Sequence, residues 1–228
     1  MTFGGFERFT LIDYPGKTAC MVYTIGCNFR CPYCHNPELV DETIGHAIPE
    51  DMVLDFLGRR TGMLDGIVIT GGEPTMHESL LDFMGKVKSR GFLVKLDSNG
   101  TNPAILEQAI NEKLVDYIAM DIKSPLSKYS RTVSRPVDVD AIRRSIRLLI
   151  DSPVDYEFRT TVLKALISPQ DFDEIGQEIR GAAKYYIQQF IPTKILNPQF
   201  RKKVTYTMDE LASFRDKMKS YVQHCAIR

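Results

Sequence analysis

Thr18-Ala19-Cys20-Met21-Val22-Tyr23-Thr24-Ile25 runs directly into Gly26-Cys27-Asn28-Phe29-Arg30-Cys31-Pro32-Tyr33-Cys34-His35-Asn36. The first run is mostly apolar and reads as a buried strand. The second puts three cysteines into eight residues, spaced C-x3-C-x2-C, at the C-terminal end of that strand. Sulfurs this close make no useful disulfide set, because pairing two leaves the third over. All three can point at one metal centre. Three is one short of the four ligands that close a zinc or cubane site. On a [4Fe-4S] cluster such a loop leaves one iron open to a small ligand. A zinc knuckle with His35 as fourth ligand uses the same spacing.

Outward from this loop the chain alternates. Further buried strands are predicted over residues 66–70, 92–96, 115–120, 156–162 and 185–191. Between them lie runs at helical spacing. Met52, Val53, Phe56 and Leu57 follow Pro49, and Leu80, Leu81, Met84 and Val87 come next. Ile105, Leu106, Ala109 and Ile110 follow Asn102-Pro103; Val139, Ile142, Ile146, Leu149 and Ile150 form another face. Phe172, Ile175 and Ile179 follow Ser168-Pro169, and a Thr207/Glu210 capping box opens a last helix through Val222. Six strand–helix units imply an α/β fold with a parallel sheet and right-handed crossovers. A partial (β/α)6 barrel is the expected closure, and an open doubly wound sheet fits the periodicity nearly as well. One domain is expected over residues 1–228, with 1–17 as an N-terminal extension and 192–228 as a C-terminal loop and helix. Cys225 reads as part of an unanchored tail.

Composition narrows the function. The 228 residues are 43% hydrophobic and 25% charged, ordinary for a globular chain. Formal net charge is zero, so no global field argues for nucleic acid or an anionic membrane as partner. Five cysteines, three of them in one loop, indicate metal usage and not a disulfide framework. The first residues contain no apolar signal core and no run is of membrane length, so a reducing, cytoplasmic location is expected.

The most polar and Gly-rich stretches sit where the predicted strands end, which is where α/β barrels carry their sites. Gly71-Gly72-Glu73-Pro74 follows the second strand; its glycines allow close backbone approach and Glu73 can accept from an ammonium group. Asp97-Ser98-Asn99-Gly100 follows the third strand and Asp121-Ile122-Lys123 the fourth. Each also fits a plain Asx-rich turn. Arg159 lies on the fifth strand, where Glu157 or Asp155 could pair with it, and Gln189 lies on the sixth. The polar, partly basic loops 124–136 and 196–203 would overhang such a site and could dock a protein.

The cysteine loop and the Gly-Gly-Glu-Pro turn resemble the signature of the radical S-adenosylmethionine (SAM) enzymes. The resemblance implies a partial barrel and a [4Fe-4S] cluster on Cys27, Cys31 and Cys34, with SAM chelating the open iron. Tyr33 matches the aromatic before the last cysteine. Gly71, Gly72 and Glu73 match the turn that holds the SAM amino group. Asp97, Ser98, Asn99, Asp121 and Lys123 are similar to SAM-contacting motifs of the glycyl-radical-enzyme activases, in which the two aspartates also help hold a monovalent cation. Arg159 matches a basic residue near SAM, and Gln189 is a further candidate. No catalytic residue beyond the cofactors is implied.

More narrowly, Gly5-Phe6, Asp13-Tyr14-Pro15-Gly16-Lys17, the stretch from Gly26 to Leu39, Arg159-Thr160-Thr161-Val162 and Gln188-Gln189-Phe190 resemble the longer activating proteins of anaerobic ribonucleoside-triphosphate reductase. This narrower resemblance implies a protein partner that carries a glycyl radical, and a low-potential electron donor such as flavodoxin or ferredoxin. Pyruvate formate-lyase activases share the same motifs. Outside the radical enzymes, an iron–sulfur electron carrier or a zinc-bound structural protein needs the cysteines but not Glu73, Asp97, Asp121 and Lys123.

Overall fold

The computed structural model describes residues 1–228, which form two compact units. The first comprises residues 1–28, 38–98 and 104–118, the second residues 29–37, 99–103 and 119–228.

In the first unit the strands are β1 (Thr2–Thr10), β2 (Ala19–Thr24), β3 (Ile48–Pro49), β4 (Gly66–Gly71) and β5 (Leu93–Ser98), in the sheet order β3-β1-β2-β4-β5. β2, β4 and β5 are parallel, with Cys20 opposite Ile67 and Ile67 opposite Val94. Their interiors are fully buried, as near-continuous Val/Ile/Leu runs in parallel strands require. Helices α1 (Pro37–Val40), α2 (Glu50–Gly58), α3 (Leu80–Lys88) and α4 (Pro103–Asn111) belong to this unit, apart from the first residues of α1 and α4. Phe3 packs on Phe83 of α3 with ring centroids 5.1 Å apart.

The second unit holds most of β6 (Tyr117–Asp121), then β7 (Asp155–Val162), β8 (Lys184–Gln189) and β9 (His224–Ile227), in that sheet order. β7, β8 and β9 are parallel. Its helices are α5 (Tyr129–Val133), α6 (Val139–Asp151), α7 (Asp171–Glu178) and α8 (Met208–Met218). Asp138 caps α6 by accepting from the amides of Asp140 and Ala141. The capping box expected at Thr207 and Glu210 is formed. Phe172 stacks on Phe214 at 4.4 Å between α7 and α8.

The six predicted strand–helix units are all present, with differences at the margins. Residues 1–17 contain a further strand: β1 runs antiparallel to β2, and the two-residue edge strand β3 runs antiparallel to β1, so the sheet is mixed. Met52 is 51% exposed and does not belong to the apolar face of α2. β8 ends at Gln189, leaving Ile191 exposed. Ser168 does not cap α7 with its side chain; the Asp171 carboxylate instead accepts from the Ser168 amide at 2.8 Å. Cys225 lies in β9, opposite Tyr185, and is buried, so the reading of an unanchored tail is wrong. No helix is long and apolar enough to cross a membrane.

Candidate cofactor site

In the first unit the Gly-Gly-Glu turn closes against the start of the cysteine loop. The Gly72 amide donates to the Thr24 carbonyl and the Glu73 amide to the Gly26 carbonyl, both at 2.9 Å. Gly71 has φ +112°, and a Cβ there would lie 2.5 Å from the Thr24 nitrogen. A Cβ on Gly72 would lie 1.8 Å from the Gly26 carbonyl oxygen. No side chain fits either position, so these glycines serve backbone approach. Glu73 is 1% exposed. Its Oε1 accepts from the Thr75 amide at 3.1 Å, the Thr75 hydroxyl at 2.6 Å and the Ser98 hydroxyl at 2.8 Å. Ser98 is thereby joined to Glu73.

Asp97 has partners that its motif alone does not reveal. The Lys95 ammonium donates to its Oδ1 and the Thr70 hydroxyl to its Oδ2 at 3.3 Å. Lys95 is 2% exposed in the middle of an apolar strand. Such a cation needs a carboxylate within reach, and in a strand residue i+2 is on the same face. That rule alone would have linked Lys95 to Asp97.

In the second unit the groups gather around Asp121. The Lys123 ammonium donates to its Oδ2 at 2.8 Å and the Arg159 Nε to its Oδ1 at 2.9 Å. Burial disfavours ionised Asp121, but Arg159 and Lys123 outweigh it and hold the carboxyl far below its ordinary range. Lys123 is pulled the other way: burial lowers it, yet Asp121 and neighbouring Tyr33 and Cys31 raise it well above the usual lysine value. The ammonium therefore stays charged, bound to Asp121. Arg159 pairs with Asp121, while Arg228 pairs with Glu157 and Lys184 with Asp155. Tyr129, which no motif singles out, is fully buried and donates its hydroxyl to the Asp121 carbonyl at 3.2 Å.

Residues 29–37 of the cysteine loop belong to this unit. The Cys34 amide donates to the Cys31 carbonyl at 3.0 Å, and His35 stacks on Phe190 with centroids 5.9 Å apart. His35 Nε2 lies 2.9 Å from the Ile191 carbonyl, which engages it as a packing group. Burial pushes the Cys31 thiol up to about 11, while Lys123 and the Tyr33 hydroxyl act to lower it. The Tyr33 hydroxyl is buried and has no nitrogen or oxygen partner. Gln189 is spent elsewhere: its amide donates to the Tyr206 carbonyl at 2.8 Å. In the remaining motif, Asn99 Oδ1 accepts from the Thr101 amide and hydroxyl at 3.0 and 2.7 Å, forming an Asx turn.

All five cysteines are free thiols. In a cubane three thiolates bind three different iron corners. Three cysteine thiolates are the donor set that such a cluster takes. Buried Glu73 fits a small ligand with an ammonium group.

Comparison with known proteins agrees. The family model of the radical SAM superfamily matches residues 21–191. A protein of Methanocaldococcus jannaschii is 33% identical over 98% of this chain and 94% of its own length; it carries the provisional name glycyl-radical enzyme activating enzyme. The pyruvate formate-lyase-activating enzyme of Clostridium pasteurianum is 30% identical over 51% of this chain and 50% of its own length. Among solved structures, a radical SAM methyltransferase from Sphaerobacter thermophilus superposes with a TM-score of 0.71 over 96% of this chain and 68% of that one, at 16% identity. That match shows the fold, the α/β partial barrel of radical SAM enzymes, and leaves no need for the open-sheet alternative. The chain belongs to the radical SAM superfamily and is an enzyme whose cofactors are a [4Fe-4S] cluster and S-adenosylmethionine.

Proposed function

We propose that this enzyme generates a glycyl radical on a partner protein, and that the partner is an anaerobic ribonucleoside-triphosphate reductase. The observation that carries the activase reading is the near end-to-end similarity to the M. jannaschii protein. The reductase is favoured by the residues flanking the cysteine loop, from Gly5-Phe6 through Asp13-Tyr14-Pro15-Gly16-Lys17 to Pro37-Glu38-Leu39. A pyruvate formate-lyase partner is the second reading, favoured by the C. pasteurianum match over half of the chain. The setting is the cytoplasm under low oxygen, with no nucleic acid or membrane in the reaction.

Cys27, Cys31 and Cys34 would hold the cluster. When bound, cluster and SAM supply one-electron reductive cleavage and a radical able to take hydrogen from a glycine Cα. The chain's own work is binding and exclusion. Glu73, fixed by Thr75 and Ser98, receives the SAM ammonium. The other SAM candidates are Gly71, Gly72, Asp97 and Ser98 of the first unit and Tyr33, Asn99, Asp121, Lys123 and Arg159 of the second. Lys123 acts with Asp121 as a neutral pair, so Arg159 and Lys123 together leave one positive charge beside the SAM carboxylate. Each of Asp97 and Asp121 already meets a protein cation, which weakens them as holders of a monovalent ion. Gln189 is the weakest of the SAM candidates, given its bond to Tyr206. No general acid or base is assigned, since hydrogen-atom transfer needs none.

The deciding experiment is anaerobic reconstitution with iron and sulfide, chemical reduction, and EPR with and without SAM, followed by incubation with each partner separately. A glycyl-radical doublet on the reductase alone supports the proposal. A doublet on the lyase alone moves the assignment to that partner. Deoxyadenosine formation with neither doublet would reject the activase reading and keep only the family chemistry.

A further inference from the structure

Lys95 is the only buried lysine or arginine in the chain. It stands in β5 between Val94 and Leu96, both fully buried, and opposite Val68 of β4. Apolar neighbours offer an ammonium group nothing to bind, and a charge left alone among them is costly. Its partner is Asp97, two residues further on and therefore on the same face of the strand. The ammonium donates to Asp97 Oδ1, and the Thr70 hydroxyl donates to Oδ2 at 3.3 Å. Asp97 is the penultimate residue of β5, so Lys95 supports it from deeper in the strand. Radical chemistry at SAM gives this buried cation no acid–base role.

In the activases that this chain resembles, the aspartates of the two Asp-containing motifs help hold a monovalent cation. The residues here do not fit that ion. Asp97 Oδ1 already meets a full positive charge from its own strand. A second cation on the same carboxylate would set two positive charges against one negative charge beside a buried side chain, where water screens little. In the second unit both oxygens of Asp121 are also engaged, Oδ2 by Lys123 at 2.8 Å and Oδ1 by Arg159 at 2.9 Å. An ammonium group and a potassium ion carry the same charge, are of similar size and bind carboxylate oxygen alike. The difference is that Lys95 is tethered to the strand, and so is present whatever the salt.

We propose that the Lys95 ammonium takes the place of a monovalent cation at Asp97, and that SAM binding by this enzyme is therefore indifferent to potassium. Lys95 is a positioning residue: it acts through Asp97, whose carboxylate it fixes, and not on SAM itself. The inference rests on Asp97 belonging to the SAM site and does not depend on which protein receives the radical.

The test uses the reconstituted holoenzyme, kept anaerobic, in buffers of equal ionic strength made with potassium chloride or with choline chloride. SAM affinity is read by calorimetry, and the melting temperature is taken on the same samples. For the wild type both values should agree between the two salts. Lys95→Ala removes the charge and leaves room for an ion. Its SAM affinity should fall about tenfold in choline, the loss of one charge-assisted bond, and potassium should restore most of it. Lys95→Met removes the charge but keeps the bulk, so it should show the same fall without the recovery. A lysine that served packing alone would give no such split between salts. Tighter SAM binding by the wild type in potassium would overturn the proposal, because an ion would then bind in addition to Lys95. This comparison needs no substitution and decides the matter if Lys95→Ala does not fold. A loss in Lys95→Ala that is equal in both salts would also overturn it. Asp97→Asn separates the two levels of the reading. If it leaves SAM affinity untouched, the placement of Asp97 in the SAM site fails and the proposal falls with it. If it weakens SAM binding while Lys95→Ala does not, the proposal alone falls.

Discussion

Glu73 shows what a single side chain is asked to do at this site. It is buried, it anchors Thr75 and Ser98, and its charge is the feature an ammonium ligand would read. Glu73→Gln keeps the volume and one accepting oxygen but removes the charge. A hydrogen bond to a charged group is worth about 1.5–3 kcal/mol, so SAM affinity should fall roughly 10- to 100-fold with the fold intact. Anaerobic calorimetry reads this, and an unchanged affinity would take Glu73 out of the site. Cys31→Ala should yield protein with little iron and no four-iron absorbance, since two thiolates are too few for the cubane. At this scale the sequence was generous with identities and poor with pairings. Cys27, Cys31, Cys34, Glu73 and Asp121 follow from spacing and motif. That Arg159 binds Asp121 and that Gln189 turns to Tyr206 are facts of packing between distant segments, whereas Lys123 and Asp121, two residues apart, are local neighbours.

Elements add couplings that no motif contains. The turn after β4 and the start of the cysteine loop are joined through Glu73 and Gly26, with no space for a Cβ on Gly72. Gly72→Ala should force the two apart, costing about 1–3 kcal/mol as overpacking does. It should lower iron content and SAM binding together, measured on one reconstituted sample beside a thermal melt. If only SAM binding falls, the turn and the cysteine loop are independent. β9 makes a second point. Its neighbour Arg228 forms a bidentate pair with Glu157, whose side chain is 1% exposed. Arg228→Ala removes that bidentate partner from a buried carboxylate. The loss should be about 2–4 kcal/mol, at or below the usual cost of breaking a buried pair because Arg228 itself is partly exposed. The alternating units were legible because each strand is an apolar run and each helix repeats at 3.6 residues. β1 was not, because its Gly4-Gly5 pair and charged Glu7-Arg8 dilute the apolar pattern of a strand. β9 was not, because four residues carry too little periodicity.

Across the first unit, stability should depend on pH through Glu50, which opens α2 and binds Lys86 of α3 at 2.8 Å. Burial would raise its pKa, but Lys86 and the Met1 amino group together hold it below its ordinary 4.5. A depressed carboxyl contributes stability above its unfolded value and loses it as pH falls through the folded one. Wild-type protein should therefore melt above Glu50→Gln at pH 7, and the gap should close on acidification below 4.5. A gap that persists there would mean that packing, not charge, is what Glu50 supplies. The burial of the two remaining cysteines has a practical consequence. Cys20 and Cys225 are sealed in β2 and β9, and burial pushes both thiols up to about 12. Maleimide in native buffer should pass them by, while Cys27 and Cys34, both partly exposed, take it up whenever the cluster is missing. The count of labels per chain becomes a gauge of how many molecules in a preparation carry their cofactor.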